Sequence, residues 1–236
     1  MVAFGEALPK LRRKVERDLT EADLPRDKVL ATIVRLLDAS LARIGNLEYA
    51  RQNESFGLTT LQEDHVQVRG PQVRLRFRGK HGKEHDLRIE DRRLARIVKR
   101  LQDLPGQELF QYHENGDLKR VHSQDVNEYI REAAGEEFSA KDFRTWAGTV
   151  LAARELLNLG PAESEAEARK KLVEAVKAVA ARLGDTPAVT RGSYIHPEVL
   201  DAYQDRRLLE ALEGDFTGGG ERAVLGLLRN RSSHQS

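Results

Sequence analysis

A short stretch with period two interrupts a sequence whose other apolar residues recur at helical spacing. In Val73-Arg-Leu-Arg-Phe-Arg78, apolar side chains alternate with arginines. Successive side chains of a strand point to opposite faces, so the pattern predicts a strand with one apolar and one basic face. Val66 and Val68 alternate similarly before it, and Gly79-Lys-His-Gly82 is typical of a hairpin connection. We therefore expect a three-stranded antiparallel sheet at about residues 64–90, inserted in a mainly α (α+β) protein.

Helical periodicity accounts for most of the remaining chain. Pro25 is well placed in the first turn of a helix and Gly45 at its C-terminal cap, which would put Arg43 in the last turn. Ser164-Glu-Ala-Glu167 resembles a capping box. An apolar run at 109–112 is followed by a turn at 114–117. The predicted helices span residues 6–18, 26–44, 46–54, 91–102, 123–134, 139–159, 164–183 and 197–212, with one or two further turns at 221–229.

Charge is distributed unevenly, although the formal net charge is only +1. Between Arg69 and Arg100 there are nine arginines and three lysines against four acidic residues, which leaves a net charge of +8. Such a concentration suits a polyanion, and Arg74, Arg76 and Arg78 are candidate contacts. The alternative is an ordinary solvated charged face.

Several classes of site have no support in the sequence. The chain has no cysteine, which excludes disulfides and cysteine-based metal sites. Its seven histidines are spread along the chain, and we predict neither a metal nor a cofactor. No segment approaches the roughly 18 apolar residues of a membrane span, and the N-terminus lacks the pattern of a signal peptide. We expect a cytoplasmic protein.

One tyrosine, two arginines and two lysines suit attack of a phenol on a phosphodiester. A phenol ionises only near pH 10, so Tyr194 needs help as a nucleophile. Arg43 and Arg144 would stabilise charge on the phenolic oxygen and on a pentacoordinate phosphorus. Lys80 or Lys141 could protonate the leaving oxygen.

Each of these residues also has an ordinary structural explanation. Tyr194 could be a half-buried packing residue, and Arg43 could stabilise a helix C-terminus. Lys80 could be a simple turn lysine, and Arg144 could form a cation–π pair with Trp146. Composition and periodicity alone do not decide between these interpretations.

The local motifs, taken together, resemble the catalytic domain of type IB DNA topoisomerases of the compact bacterial and poxvirus kind. The resemblance runs from about residue 3 to residue 212. Singly the motifs are weak, and in combination they are specific. The matching segments are Arg43-Ile-Gly-Asn46, Glu48-Tyr49-Ala-Arg51 with Asn53, Phe56-Gly-Leu-Thr-Thr-Leu61, Phe77-Arg-Gly-Lys80-His-Gly-Lys83-Glu-His85, Lys141-Asp-Phe-Arg144-Thr-Trp146-Ala-Gly148, and Gly184-Asp-Thr-Pro187 through Tyr194.

The resemblance implies a role for each candidate. Tyr194 would form a 3′-phosphotyrosyl bond, Arg43 and Arg144 would contact the scissile phosphate, and Lys80 would protonate the 5′-oxygen with help from Lys141. The free strand would swivel before religation, which relaxes supercoils without ATP or metal. The implied partner is duplex DNA, bound by a monomer associated with the nucleoid. Further implied DNA contacts are Lys83, His85 and Arg191, beside Arg74, Arg76 and Arg78.

Two features depart from the family pattern. Where the family places a histidine or asparagine that donates to a phosphate oxygen, this chain has Asp185, and an ionised carboxylate cannot donate. Asp185 would lie near that oxygen, or cap a short helix beginning near Thr186. Nothing corresponds to the small N-terminal domain that closes over the duplex. We expect a catalytic domain at 1–213 and a partly disordered tail at 214–236, with the ordered core ending at Gly218-Gly-Gly220 and disorder at 231–236.

Two alternative functions remain at this stage. A tyrosine recombinase or integrase shares the catalytic fold, but typically has His-x-x-Arg where this chain has Lys141-x-x-Arg144. A non-catalytic duplex-binding module would result if Asp185 disables the site.

Overall fold

The computed structural model describes residues 1–135, 138–212 and 220–232. These residues form a mainly helical protein with a small antiparallel sheet, which confirms the predicted fold class. The helices are α1 (Val2–Asp18), α2 (Arg26–Ser40), α3 (Leu47–Asn53), α4 (Arg92–Gln102), α5 (Ser123–Ala134), α6 (Ala140–Leu159), α7 (Glu165–Leu183), α8 (Pro187–Ser193), α9 (Pro197–Gln204), α10 (Leu208–Leu212) and α11 (Glu221–Ser232). The strands are β1 (Val66–Arg69), β2 (Gln72–Arg78), β3 (Glu84–Glu90), β4 (Gln111–Glu114) and β5 (Asp117–Arg120).

The chain divides into two compact units. The N-terminal unit is Leu8–Phe143, and the C-terminal unit combines Met1–Ala7 with Arg144–Ser236. The divisions fall within α1 and α6. Among the described residues, no helix combines the length and apolar character that crossing a membrane requires.

The predicted three-stranded sheet is present in the N-terminal unit, in the order β1-β2-β3. Val73 pairs with Ile89 and Phe77 with His85, so these side chains share the face that packs inward. Helix α4 packs on β1 and β2, and its first turn is capped by Asp91, which accepts from two backbone N–H groups. The apolar run and turn at 109–117 form a second hairpin, β4-β5, which the sequence analysis had not assigned as strands.

Helix α2 forms the centre of the N-terminal unit, with Val29, Leu30 and Ile33 completely buried. It packs against α5, β3 and β4. The helix ends at Ser40, and Leu41 caps it in a left-handed conformation (φ 58°). The prediction that it continues to residue 44 and ends at Gly45 was therefore wrong. The backbone after Leu41 leaves the helix because it hydrogen-bonds to residues 58 and 59 instead.

The core of the C-terminal unit is built by α6, α7 and the short helices that follow. Ser164 caps α7, and its side chain accepts from Glu167 N as a capping box predicts. The reciprocal bond differs, since the Glu167 carboxylate accepts from Glu163 N and not from Ser164 N. Helix α7 packs against α8 and α9. The single helix predicted at 197–212 is instead two, α9 and α10. Arg206 breaks it with a φ of 62°, and Arg207 N returns to the Ala202 carbonyl.

Helix α11 is longer than the one or two turns predicted at 221–229. Val224 and Leu228 are buried, and the helix packs against α9 and α10. Glu221 accepts a hydrogen bond from the Trp146 indole at 3.1 Å. Residues 231 and 232, predicted to be disordered, are instead the end of α11. The predicted boundary at residue 213 lies outside the described residues, as do Gly218, Gly219 and residues 233–236.

Candidate active site

Tyr194 lies at the C-terminal end of α8 and is only 5% exposed. The helix begins at Thr186, whose side chain accepts from Val189 N, and Pro187 occupies its first turn. Tyr194 N donates to the Thr190 carbonyl at 3.0 Å, which closes the last turn. The short helix therefore fixes the backbone that carries the candidate nucleophile.

Helix α6 holds this segment through small and hydroxyl-bearing residues one turn apart. Thr145 Oγ1 donates to the Ser193 carbonyl at 3.4 Å, and Thr149 Oγ1 accepts from His196 N at 3.0 Å. Gly148 lies between them and leaves room for the Tyr194 carbonyl. The sequence motif around Arg144 thus includes Thr145 and Gly148, two of the residues that position Tyr194, and Thr149 follows it directly.

Arg144 also lies on α6, and its guanidinium carbon is 4.9 Å from the centroid of the Tyr194 ring. The side chain is almost fully buried, and its Nη2 donates to the Leu183 carbonyl at 2.9 Å. A guanidinium at this distance from an aromatic ring is attracted to its π face. The cation–π partner is Tyr194, whereas the proposed alternative partner, Trp146, directs its indole N–H to Glu221.

Asp185 is the third member of this cluster. Its Oδ2 accepts from Arg144 Nη2 at 2.6 Å, and the two side chains are 6% and 4% exposed. Thr186, and not Asp185, caps α8. The capping role considered for Asp185 is therefore filled by Thr186. The Asp185 carboxylate instead faces Arg144, which was predicted to bind the scissile phosphate.

Arg43 lies in the loop after α2 and is partly exposed. Two glycines make this loop possible: Gly45 has a φ of +94°, and a Cβ on Gly57 would lie 2.4 Å from Gly45 N and 2.7 Å from the Arg43 carbonyl. That carbonyl accepts from Leu58 N at 3.0 Å. The motif at 56–61 therefore anchors the backbone of Arg43.

Lys80 is exposed on the β2–β3 connection, as predicted. Gly79 N closes this connection by donating to the Lys83 carbonyl at 2.7 Å. Lys80 Nζ is 5.9 Å from the centroid of the Tyr49 ring, on α3. Arg43, Tyr49 and Lys80 line one cavity of about 480 Å³.

The structure thus groups the candidates in two sets. Arg144, Asp185 and Tyr194 form one cluster in the C-terminal unit, and Arg43 and Lys80 share a cavity in the N-terminal unit. Lys141 is exposed in the first turn of α6, and Arg191 is exposed on α8. No group of three histidine, aspartate or glutamate side chains suited to a metal ion occurs within residues 1–135, 138–212 and 220–232.

An acidic residue, Asp86, lies in the middle of the predicted basic face of the sheet. Asp86 accepts from Arg74 Nε at 2.7 Å and also from Arg74 Nη2, and it lies 3.6 Å from Arg76 Nε and 4.0 Å from Arg88 Nε. The hydrogen bonds from Arg74, outweighing partial desolvation, lower the pKa of Asp86 to about 2. Three arginines are thus arranged around one carboxylate.

Two residues of β3, His85 and Arg88, differ from the predicted set of DNA contacts on the sheet. His85 lies on the opposite face from these arginines, stacked on Phe77 at 4.9 Å between ring centroids. Arg88 lies on the same face as Arg74, Arg76 and Arg78, although it was not among the predicted DNA contacts. The period of two continued through β3 would have identified Arg88, because residues 86 and 88 share a face.

Comparison with known proteins agrees with these motifs. The family described as "Eukaryotic DNA topoisomerase I, catalytic core" matches residues 1–213. The chain is 31% identical over 210 residues to "DNA topoisomerase 1B" of Acanthamoeba polyphaga mimivirus, covering 86% of this chain and 62% of the relative. It is 22% identical over 200 residues to "DNA topoisomerase 1B" of Vaccinia virus (strain Copenhagen), covering 84% of this chain and 61% of the relative.

A fungal protein, "DNA topoisomerase 1" of Mycosarcoma maydis, is 26% identical over 160 residues, with coverage of 60% of this chain and 16% of the relative. The chain spans about three fifths of the length of the viral relatives. Because the family match extends over most of the chain, this protein belongs to the DNA topoisomerase I catalytic-core family.

Proposed function

We propose that this chain performs the strand-cleaving and rejoining chemistry of a type IB DNA topoisomerase on duplex DNA. The observation that carries the proposal is the Arg144 guanidinium, 4.9 Å from the Tyr194 ring. A guanidinium beside the attacking phenol can bind non-bridging phosphate oxygens and stabilise the additional negative charge of the transition state. The names of the viral relatives support the same activity.

In the proposed reaction, Tyr194 Oη attacks the scissile phosphorus. The new bond joins phosphorus to the tyrosine oxygen, and the bond from phosphorus to the 5′-oxygen breaks. The phenolic proton goes to solvent, and Lys80 Nζ donates a proton to the departing 5′-oxygen. Arg43 and Arg144 bind the non-bridging oxygens, and Lys141 assists. Religation reverses these steps, so no net energy input is needed.

The arginine face, defined as Arg74, Arg76, Arg78 and Arg88 on β2 and β3, is the proposed backbone-binding surface. Arginine forks match phosphate oxygens and stay charged at all physiological pH values. Such contacts position the duplex without reading its sequence. Lys83 and Arg191, both exposed, would add to these contacts.

The decisive experiment is trapping of a covalent complex on a suicide duplex, in EDTA and without ATP. We expect the protein to form a 3′-phosphotyrosyl adduct. Tyr194→Phe removes only the phenolic oxygen, so it should abolish the adduct while leaving duplex affinity nearly unchanged. Tyr203→Phe is the matched control, because Tyr203 is a second buried tyrosine of the same unit and bonds the Gly160 carbonyl at 2.7 Å. Adduct on the Tyr194→Phe protein would overturn the assignment.

A non-catalytic duplex-binding module is the second candidate, and the buried Arg144–Asp185 pair favours it. On that alternative, binding shows ordinary salt dependence but no adduct forms on any duplex. A recombinase would require its own paired sites and a synaptic tetramer, so cleavage of a single unpaired duplex separates it from a topoisomerase.

We further propose that the protein acts on nucleoid DNA in the cytoplasm. We also propose that it acts as a monomer, and sedimentation velocity with a short duplex would test the oligomeric state.

A further inference from the structure

The side chain of Asp185 accepts a hydrogen bond from Arg144, the arginine that the proposed function assigns to the scissile phosphate. Its Oδ2 is 2.6 Å from Arg144 Nη2, and the same nitrogen also donates to the Leu183 carbonyl. A carboxylate and a phosphate present similar oxygen acceptors to a guanidinium. Asp185 therefore occupies Arg144 Nη2 in the way that a phosphate oxygen would.

The backbone around Asp185 fixes the carboxylate in this position. Gly184 caps α7 in a left-handed conformation (φ 72°), and Asp185 N donates to the Ala180 carbonyl at 3.0 Å. Thr186 then begins α8. Because one helix ends and the next begins on either side, Asp185 has little backbone freedom to move away from Arg144.

Burial strengthens the attraction within the pair and makes the Asp185 carboxylate unfavourable to an arriving anion. The two side chains are only 4% and 6% exposed, so water screens their charges poorly. Removing one partner of such a pair leaves a buried charge without its counter-charge, which destabilises the fold. The same negative charge repels a phosphate that approaches Arg144.

We propose that Asp185 is an internal competitor of the scissile phosphate for Arg144. It stabilises the free protein by neutralising a buried guanidinium, and it slows cleavage because the phosphate must share or displace that contact. This inference rests on the proposed function, in which Arg144 binds the phosphate. Asp185 acts through Arg144 and is a positioning residue.

Asp185→Asn tests the competition. Asparagine has nearly the same shape, and its amide oxygen can still accept from Arg144, but the negative charge is gone. We expect single-turnover cleavage of a suicide duplex to become roughly tenfold faster. A change of that size in rate corresponds to about the free energy of one charge-assisted hydrogen bond. The thermal midpoint of the free protein should fall at the same time. A purely structural role would lower the midpoint without raising the rate.

Glu198→Gln is the matched control. Glu198 is a second buried carboxylate of the C-terminal unit, 3% exposed and 3.1 Å from Arg207 Nη1. Its substitution should lower the thermal midpoint but leave the cleavage rate unchanged. Asp185→Ser, which is neutral and smaller, serves as the second variant if the asparagine protein does not fold, with the same expected increase in rate.

An unchanged or lower rate for folded Asp185→Asn would overturn the competition, since Asp185 would then help Arg144 or be neutral. If neither the wild-type protein nor the variants form an adduct, the proposed chemistry fails and the competition is decided by binding. In a Tyr194→Phe background, Asp185→Asn should tighten the dissociation constant for a short duplex by several-fold. Unchanged affinity in that background would overturn the competition independently of catalysis.

Discussion

Gly148 on α6 faces the backbone carbonyl of Tyr194 so closely that a Cβ at position 148 would lie 2.3 Å from that oxygen. The obstacle is backbone, which cannot rotate away as a side chain can. Glycine at this position thus lets the tyrosine segment lie directly on α6, where Thr145 and Thr149 bond its two sides. The geometry of the candidate nucleophile depends on the absence of a side chain.

We expect Gly148→Ala to displace Tyr194 from Arg144. Adduct formation on the suicide duplex should slow by about tenfold or more, because small misplacements of reacting groups are costly. The free energy of unfolding should fall by about 1–3 kcal/mol, as for other overpacked sites. Gly226→Ala is the control, since a Cβ there meets nothing within 4 Å. Wild-type cleavage by Gly148→Ala would show that Tyr194 tolerates the shift.

Lys80→Ala should slow cleavage strongly on a normal 5′-oxygen leaving group. A duplex with a 5′-sulfur leaving group should largely rescue the variant, because a thiolate departs without a proton. Single-turnover rates on the two duplexes provide the comparison. Lys99→Ala, at an exposed lysine of α4 in the same unit, should leave the rate at saturating duplex unchanged on both. An equal defect of Lys80→Ala on both duplexes would exclude Lys80 as the general acid.

Asp86→Asn should strengthen duplex binding through the arginine face. The low pKa of Asp86, about 2, keeps the carboxylate ionised at every practical pH, so only substitution removes its charge from the arginines. We expect a several-fold gain in affinity and a plot of log K against log salt that is steeper by up to about one unit. Asp117→Asn makes the same change in net charge on β5 and should have little effect. Equal gains for both variants would indicate a general charge effect.

His65 should make the stability of the N-terminal unit depend on pH. Burial lowers its pKa below 6.5, although nearby Asp64 raises it in part. The neutral ring accepts from Gln62 N through Nδ1 at 3.0 Å and packs on Phe56. A lowered folded-state pKa means that this stability is fully present above pH 6.5 and is lost as pH falls through the folded value.

Denaturant unfolding at about pH 7.5 and about pH 5 tests this expectation, because the two values lie on either side of an ordinary histidine pKa. His65→Asn keeps an acceptor near Gln62 and should flatten the dependence on pH. His113→Asn, at an exposed histidine of β4, should keep the wild-type dependence. The same slope in all three proteins would contradict the assignment to His65.

Local patterns were sufficient to predict most elements. The alternation at 73–78 predicted β2, and the turn residues at 79–82 predicted its connection to β3. The capping signal at Ser164 located the start of α7 correctly. A long-range contact explains one error, since α2 stops at Ser40 and the next residues pair with the segment at 58–59. Two further errors are local: the predicted helix at 197–212 breaks at Arg206, and the hairpin β4-β5 was not predicted.

The candidate site shows the same division. Tyr194, Arg144, Arg43 and Lys80 were identified from motifs, since residue types and their immediate neighbours are present in the sequence. The contact between Asp185 and Arg144 was not identified, because no spacing rule connects two residues that lie 41 positions apart. Two further residues were not predicted as members of the site. Tyr49 lies beside Lys80, and Arg88 lies on the arginine face.

By itself, the sequence determined the three strands at 66–90, most of the helices and the chemical groups available to the site, because backbone periodicity and capping act within a few residues. Only the tertiary structure decided which groups meet. Arg144 faces both Tyr194 and Asp185 because α6, the end of α7 and α8 bring their side chains within a few ångströms. That proximity results from packing between helices, which depends on the whole core of the unit and not on any local stretch of chain.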